Sequence, residues 1–83
     1  MVHMVPKRRE DISRLQSMFS CMREIEKNMD LLMSTTNDLD DMEDRKGIAY
    51  HIMRLQKVYG ELNAHLEGLL EAYEDEGFEI VEN

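Results

Sequence analysis

The sequence predicts an all-α fold, an antiparallel hairpin of two long helices, and three observations predict it. Apolar residues recur at steps of three and four through both halves of the chain. A polar segment at 34–41 interrupts that spacing once, and no linker, repeat or low-complexity stretch divides the 83 residues into more than one domain. A chain of this size lies near the limit below which a single core gives only a small stability margin.

The first helix is predicted over about 7–33. Ile12, Leu15, Met18, Met22, Ile25, Met29 and Leu32 set its stripe, and Phe19 and Met33 widen it. Pro6 suits a first turn, and Glu10 and Asp11 complement the positive end of the helix dipole, although Lys7, Arg8 and Arg9 oppose it. "STTNDLDD" then brings residues whose side chains compete for backbone hydrogen bonds, which places the turn at 34–38. Thr36, Asn37 or Asp38 is expected to cap the second helix, with Asp40, Asp41 and Glu43 in its first turn. The acidic run at 38–44 thus has a structural reason to exist without any ligand.

The second helix is predicted over about 38–76, continuous through Gly47. Its seam is cleaner: Ile48, Ile52, Leu55, Tyr59, Leu62, Leu66, Leu69 and Tyr73 alternate steps of four and three. At about 1.5 Å per residue the seam is roughly 38 Å long. This is the heptad rule for helices packing at a shallow angle. After Gly77, "FEIVEN" forms a short tail at 77–83 that alternates apolar and acidic residues. It is expected to fold back on the helices, fray, or add to a partner's edge, while His3 falls in an irregular N-terminal end.

Gly60, Ala64, Gly68 and Ala72 recur every four residues and form a ridge of small side chains where another backbone can approach closely. The alternative reading is a solvated back, with each glycine tolerated at about 1 kcal/mol relative to alanine.

Chemistry-bearing patterns are sparse. A single cysteine, Cys21, excludes an intrachain disulfide and a zinc cluster of the CxxC type. His51 and His65 lack the one-turn spacing of a helical metal site, and Glu61 with His65 is a lone pair. "DLDDMEDRKG" has neither the central glycine nor the closing glutamate of a calcium loop, position 49 being alanine. No phosphate loop is present, and no metal or other cofactor is predicted. A net charge of -8 argues against nucleic-acid binding across the surface. No apolar run approaches the roughly 18 residues that span a bilayer, and "MVHMVPKRRED" lacks the apolar stretch of a signal peptide. A cytoplasmic protein without membrane contact is expected.

"DISRLQSMFSCMREIEKNM" at 11–29, followed by "IAYHIMRLQKVYGEL" at 48–62, resembles the first and middle helices of the HepT-like ribonucleases of the HEPN superfamily. The resemblance spans about 35 residues. It implies a helical protein that cleaves RNA as a dimer, partnered by a nucleotidyltransferase antitoxin. The family's catalytic Arg-x(4 to 6)-His motif lies on a later helix for which this chain has no counterpart. Arg45 and His51, in "RKGIAYH", satisfy its spacing, but within a segment that matches a non-catalytic helix. The implied member is shortened and without the usual catalytic helix.

Helix one carries a stripe wider than one facing helix can cover, and an exposed apolar strip of that kind marks an interface. The sequence therefore predicts that two hairpins dock as a homodimer into a four-helix bundle, or that another protein supplies the missing helices. The interface residues are Leu15, Met18, Met22, Ile25, Met29, Ile52, Leu55, Tyr59, Leu62, Leu66 and Leu69. The expected function is a non-catalytic protein–protein interaction or regulatory module. The alternatives are a shortened HepT-like ribonuclease relative using Arg45 and His51, and a chaperone-like adaptor presenting the Met-rich face of Met18, Met22, Met29 and Met33.

Overall fold

A computed structural model describes residues 2–82 as strand β1 (Val2–Pro6), helix α1 (Arg9–Asn37), helix α2 (Met42–Asp75) and strand β2 (Phe78–Glu82). The two helices pack against each other as a hairpin, and β1 pairs antiparallel with β2 at its open end.

Helix α1 ends later than the polar segment suggested. The buried line of α1 is Leu15, Met22, Met29 and Thr36, one residue every seven. Thr36 keeps this phase because its hydroxyl donates to the Leu32 carbonyl one turn back, at 2.6 Å. A threonine whose hydroxyl is satisfied this way can enter a helical interface. The helix therefore runs through "STT", and the turn is Asp38–Asp41 rather than 34–38.

The cap of α2 is consequently Asp41, not Thr36, Asn37 or Asp38. Its carboxylate accepts from the Asp44 backbone N–H at 3.0 Å, and Glu43 and Asp44 lie in the first turn, beside the positive end of the dipole. Arg45 closes the turn from the other side, donating from Nη1 to the Leu39 carbonyl at 2.7 Å. Gly47 lies within α2 without interrupting it.

Val2–Pro6 is a strand, not an irregular segment, and the tail as far as Glu82 pairs with it instead of folding back on the helices, Asn83 lying outside the described residues. Pro6, expected in a first helical turn, is the last residue of β1, facing Phe78. Gly77 makes the reversal into β2 at φ 86°, a conformation costly for any residue with a Cβ. Arg8 ties the ribbon to both helices: its guanidinium lies 4.3 Å from the Tyr73 ring centre, 3.7 Å from Asp11 and 3.3 Å from Glu76. Its buried Nε is close to the Glu76 carboxylate but not aligned for a hydrogen bond, so that contact is one of charge.

Leu15, Met22 and Leu66 form the centre of the core, with Phe19, Tyr59, Leu69, Leu70 and Tyr73 packed around them. Ile12, Met29 and Ile52 are buried as well, yet among the described residues no side chain is wholly sealed from water. The molecule measures 66 × 19 × 10 Å, only one helix layer thick.

Candidate functional site: an apolar trough along the hairpin

The two flanks of the helix pair differ in chemistry. Three residues beyond Leu15, Met22 and Met29 come Met18, Ile25 and Leu32; three beyond Ile52, Tyr59 and Leu66 come Leu55, Leu62 and Leu69. All six are apolar. Four residues beyond the same positions come Phe19, Glu26, Met33, Gln56, Asn63 and Leu70, half of them polar. Residues three and four apart fall on opposite sides of a packing seam, so the hairpin has one apolar flank and one mixed flank.

On the apolar flank the side chains leave an open trough of roughly 330 Å³ between the helices, lined by Met22, Ile25, Asn28, Met29, Leu32, Leu55, Val58, Tyr59 and Leu62. A second hollow continues it toward the ribbon, lined by Ser17, Met18, Cys21, Met22, Leu62 and Leu66. Neither contains an ionisable carboxylate or a cation. Half or so of each rim side chain is in water: Met18 48%, Ile25 45%, Leu32 50%, Leu55 54% and Leu62 47%.

On the mixed flank the Tyr59 hydroxyl donates to the Glu26 carboxylate at 3.3 Å. The phenol is held above its ordinary pKa, first by desolvation against the hairpin and then by the Glu26 charge and this hydrogen bond. Asn63 donates to Glu67 at 3.1 Å. These polar contacts make a finished surface, which the trough is not.

No family model, curated protein or solved structure matches this chain.

The expected interface residues separate into three groups. Leu15, Met22, Met29, Ile52 and Leu66 are buried inside the single hairpin, Tyr59 and Leu69 are half-buried, and Met18, Ile25, Leu55 and Leu62 form the exposed rim. Val58 and Leu32 belong to the same rim. Both are legible as apolar in the sequence, but Val58 stands off the strict seam of α2 and Leu32 belongs to the α1 stripe without being among the expected interface residues.

The ridge of Gly60, Ala64, Gly68 and Ala72 is exposed and contributes nothing to the trough; a Cβ built at either glycine meets no atom within 4 Å. The Met-rich set is also divided, with Met22 and Met29 in the core, Met33 half-buried and Met18 alone exposed. Arg45 and His51 are not brought together. Six residues apart on α2, they are separated by about 120° around the axis, with Arg45 engaged at Leu39 and His51 lying edge-on to Tyr50 at 5.4 Å between ring centres. Among the described residues no three His, Cys, Asp or Glu side chains converge as metal ligands, and no helix is long and apolar enough to cross a membrane.

Proposed function

We propose that this chain is a non-catalytic protein–protein interaction module that works as a homodimer, two hairpins meeting trough to trough in a four-helix bundle. The trough carries the reading: it is a continuous apolar strip, free of carboxylates, on a chain of net charge -8. Two copies of so acidic a chain approach most easily where acids are absent, and no carboxylate lines the trough.

Surface area supports the same conclusion. A compact monomer of 9.8 kDa exposes about 5,200 Å² by the usual scaling with mass. This chain exposes 6554 Å², an excess of roughly 1,300 Å² over that estimate. A standard protein interface covers about 800 Å² per partner, so a second hairpin over the trough removes most of the excess.

Cys21 supplies the test, because its exposed thiol lies at the trough. A dimer formed there gives a sedimentation-equilibrium mass of twice 9.8 kDa and a maleimide labelling rate at Cys21 that falls as protein concentration rises. A monomeric mass across the micromolar range, with a labelling rate independent of concentration, sinks the proposal.

A further inference from the structure

The β-ribbon has a free edge of its own. Within it Met4 faces Ile80 and Pro6 faces Phe78, and one step on, the Lys7 N–H donates to the Gly77 carbonyl at 3.0 Å. Antiparallel pairs alternate between those that exchange hydrogen bonds and those that do not. Val5 with Glu79 and His3 with Val81 are therefore the bonded pairs. Val2, Met4 and Pro6 on one strand, and Phe78, Ile80 and Glu82 on the other, turn their backbone groups outward.

These two edges are not equivalent. On β1 the outward row is interrupted at Pro6, which has no N–H. On β2 it is complete, with every outward residue offering a donor and an acceptor. Beside it Phe78 and Ile80 are 57% and 72% exposed, on the same face as Met4. Glu79 lies on the opposite face, in a hollow it shares with Lys7, Arg8, Arg9 and Arg14 as well as Glu10 and Asp11, so its charge is met by cations of its own chain. The ribbon also stands clear of the helices. Thirty-four helical residues span about 51 Å and five strand residues about 17 Å, which together account for the 66 Å length of the molecule. A two-stranded ribbon without further cover is marginal in water.

The edge of β2 is complementary to itself in one register. Outward residues must meet outward residues, so on an antiparallel second β2 Ile80 pairs with Ile80 of the second copy, and Phe78 with its Glu82. Every outward donor and acceptor of Phe78–Glu82 is then used. Glu79 stands opposite Val81 and Glu82 opposite Phe78, so no acid has an acid directly across from it. The nearest approach of like charge is the diagonal between the two Glu79 side chains, about 7 Å, each beside the cations of its own hollow. Other registers are worse. Sliding the second strand by two residues one way sets Glu79 against Glu79, and sliding it the other way carries Phe78 past the end of β2. A parallel, in-register arrangement puts each acid beside its own copy. The antiparallel pair also sends the two hairpins in opposite directions, which keeps their net charges of -8 apart.

We propose that the free edge of β2 pairs with β2 of a second copy, Ile80 on Ile80, in an end-to-end dimer built on a four-stranded sheet. An unrelated strand can fill the same backbone row, but the positions of Glu79 and Glu82 are matched by this strand's own Val81 and Phe78. The pairing converts a marginal ribbon into a sheet with Phe78, Ile80 and Met4 of both copies on one face. It rests on the ribbon alone and is independent of the trough dimer.

Disulfide crosslinking of the full chain tests it, with Cys21→Ser removing the thiol at the trough. Two opposed Ile80 residues lie about 5.5 Å apart between Cα atoms, within reach of a disulfide. Two Phe78 residues, or two Glu82 residues, are offset by four strand steps, about 14 Å. Ile80→Cys should therefore crosslink under mild oxidation roughly tenfold or more faster than Phe78→Cys or Glu82→Cys. A mixture of Phe78→Cys and Glu82→Cys should form the mixed dimer in preference to either homodimer. Protection of the Val5 and Val81 amides from hydrogen exchange verifies that the ribbon survives each change; if Ile80→Cys loses it, the mixture decides. Adding Leu62→Ala, which weakens the trough contact, should leave the Ile80→Cys rate unchanged. Small-angle scattering of that crosslinked product should give a length of about 115 Å, against 66 Å for one chain. Equal rates at the three positions, absence of the mixed dimer, or a crosslinked product little longer than one chain overturns the proposal. So does crosslinking that disappears with Leu62→Ala, because the ribbons then meet only through the trough. Binding of a valine–threonine hexapeptide by a chain that shows no preference for Ile80→Cys crosslinking assigns the edge to another protein's strand and overturns it as well.

Discussion

Leu62 and Leu66 are one helical turn apart on α2, yet truncating them to alanine should have different kinds of effect. Leu66 is 7% exposed in the core beside Leu15 and Met22, and Leu62 is 47% exposed on the rim of the trough. Leu66→Ala creates a cavity within each hairpin and should cost about 2–5 kcal/mol of unfolding free energy at any protein concentration. Full burial of a leucine side chain stabilises by about 2 kcal/mol. Nearly half of that is unrealised at Leu62 in the single chain, about 1 kcal/mol per hairpin and about 2 kcal/mol per dimer. Leu62→Ala should therefore raise the dimer dissociation constant by roughly 30-fold, with a loss of only about 1 kcal/mol in the stability of the separated hairpin. Sedimentation equilibrium gives the first quantity, and denaturant unfolding over a range of protein concentrations gives the second. Equal association of wild type and Leu62→Ala would refute the assignment of the trough as the dimer face. A Leu66→Ala effect seen only on association would refute the division between core and rim.

Three further outcomes are expected. Asp41→Ala removes the carboxylate that accepts from Asp44 N–H and should cost about 1 kcal/mol in thermal or chemical unfolding, whereas Asp38→Ala, which removes no cap, should change stability by only a few tenths of a kcal/mol. Gly60→Ala and Gly68→Ala each have open space for the added methyl group and should stabilise the helix by up to about 1 kcal/mol; a weakened dimer in either variant would instead place a second backbone against the ridge. The raised pKa of Tyr59 means that the folded state holds its phenolic proton more tightly than the unfolded state does. The associated stability is fully present below the ordinary tyrosine range, near pH 10, and is lost as pH rises through the folded-state value. With Tyr50 and Tyr73 changed to phenylalanine, absorbance titration should show Glu26→Gln moving the Tyr59 ionisation to lower pH, and an unmoved curve would contradict the contact.

The sequence by itself determined the helical hairpin. Its apolar seam keeps one phase from Ile48 to Tyr73 through both Gly60 and Gly68, and a helix that buries a regular stripe tolerates two glycines. The asymmetry of the flanks was also present in the spacing, since the positions three beyond the core line are all apolar and those four beyond are not. Tertiary structure decided the end of α1 and the division of the interface residues. Thr36 is polar by type and buried by position, and only the facing helix with the Leu32 carbonyl makes it a core residue. Leu62 and Leu66 have one side chain and one periodicity, so nothing local distinguishes rim from core until the second helix is in place. The β-ribbon was the least legible element. Neither "VHMVP" nor "FEIVE" can be a sheet alone, and their pairing joins residues about 75 positions apart in the chain, a long-range closure that local propensity does not encode. It forms because the antiparallel hairpin returns the end of α2 to the start of α1, where Gly77 and Lys7 meet and the remaining strand residues pair outward from them.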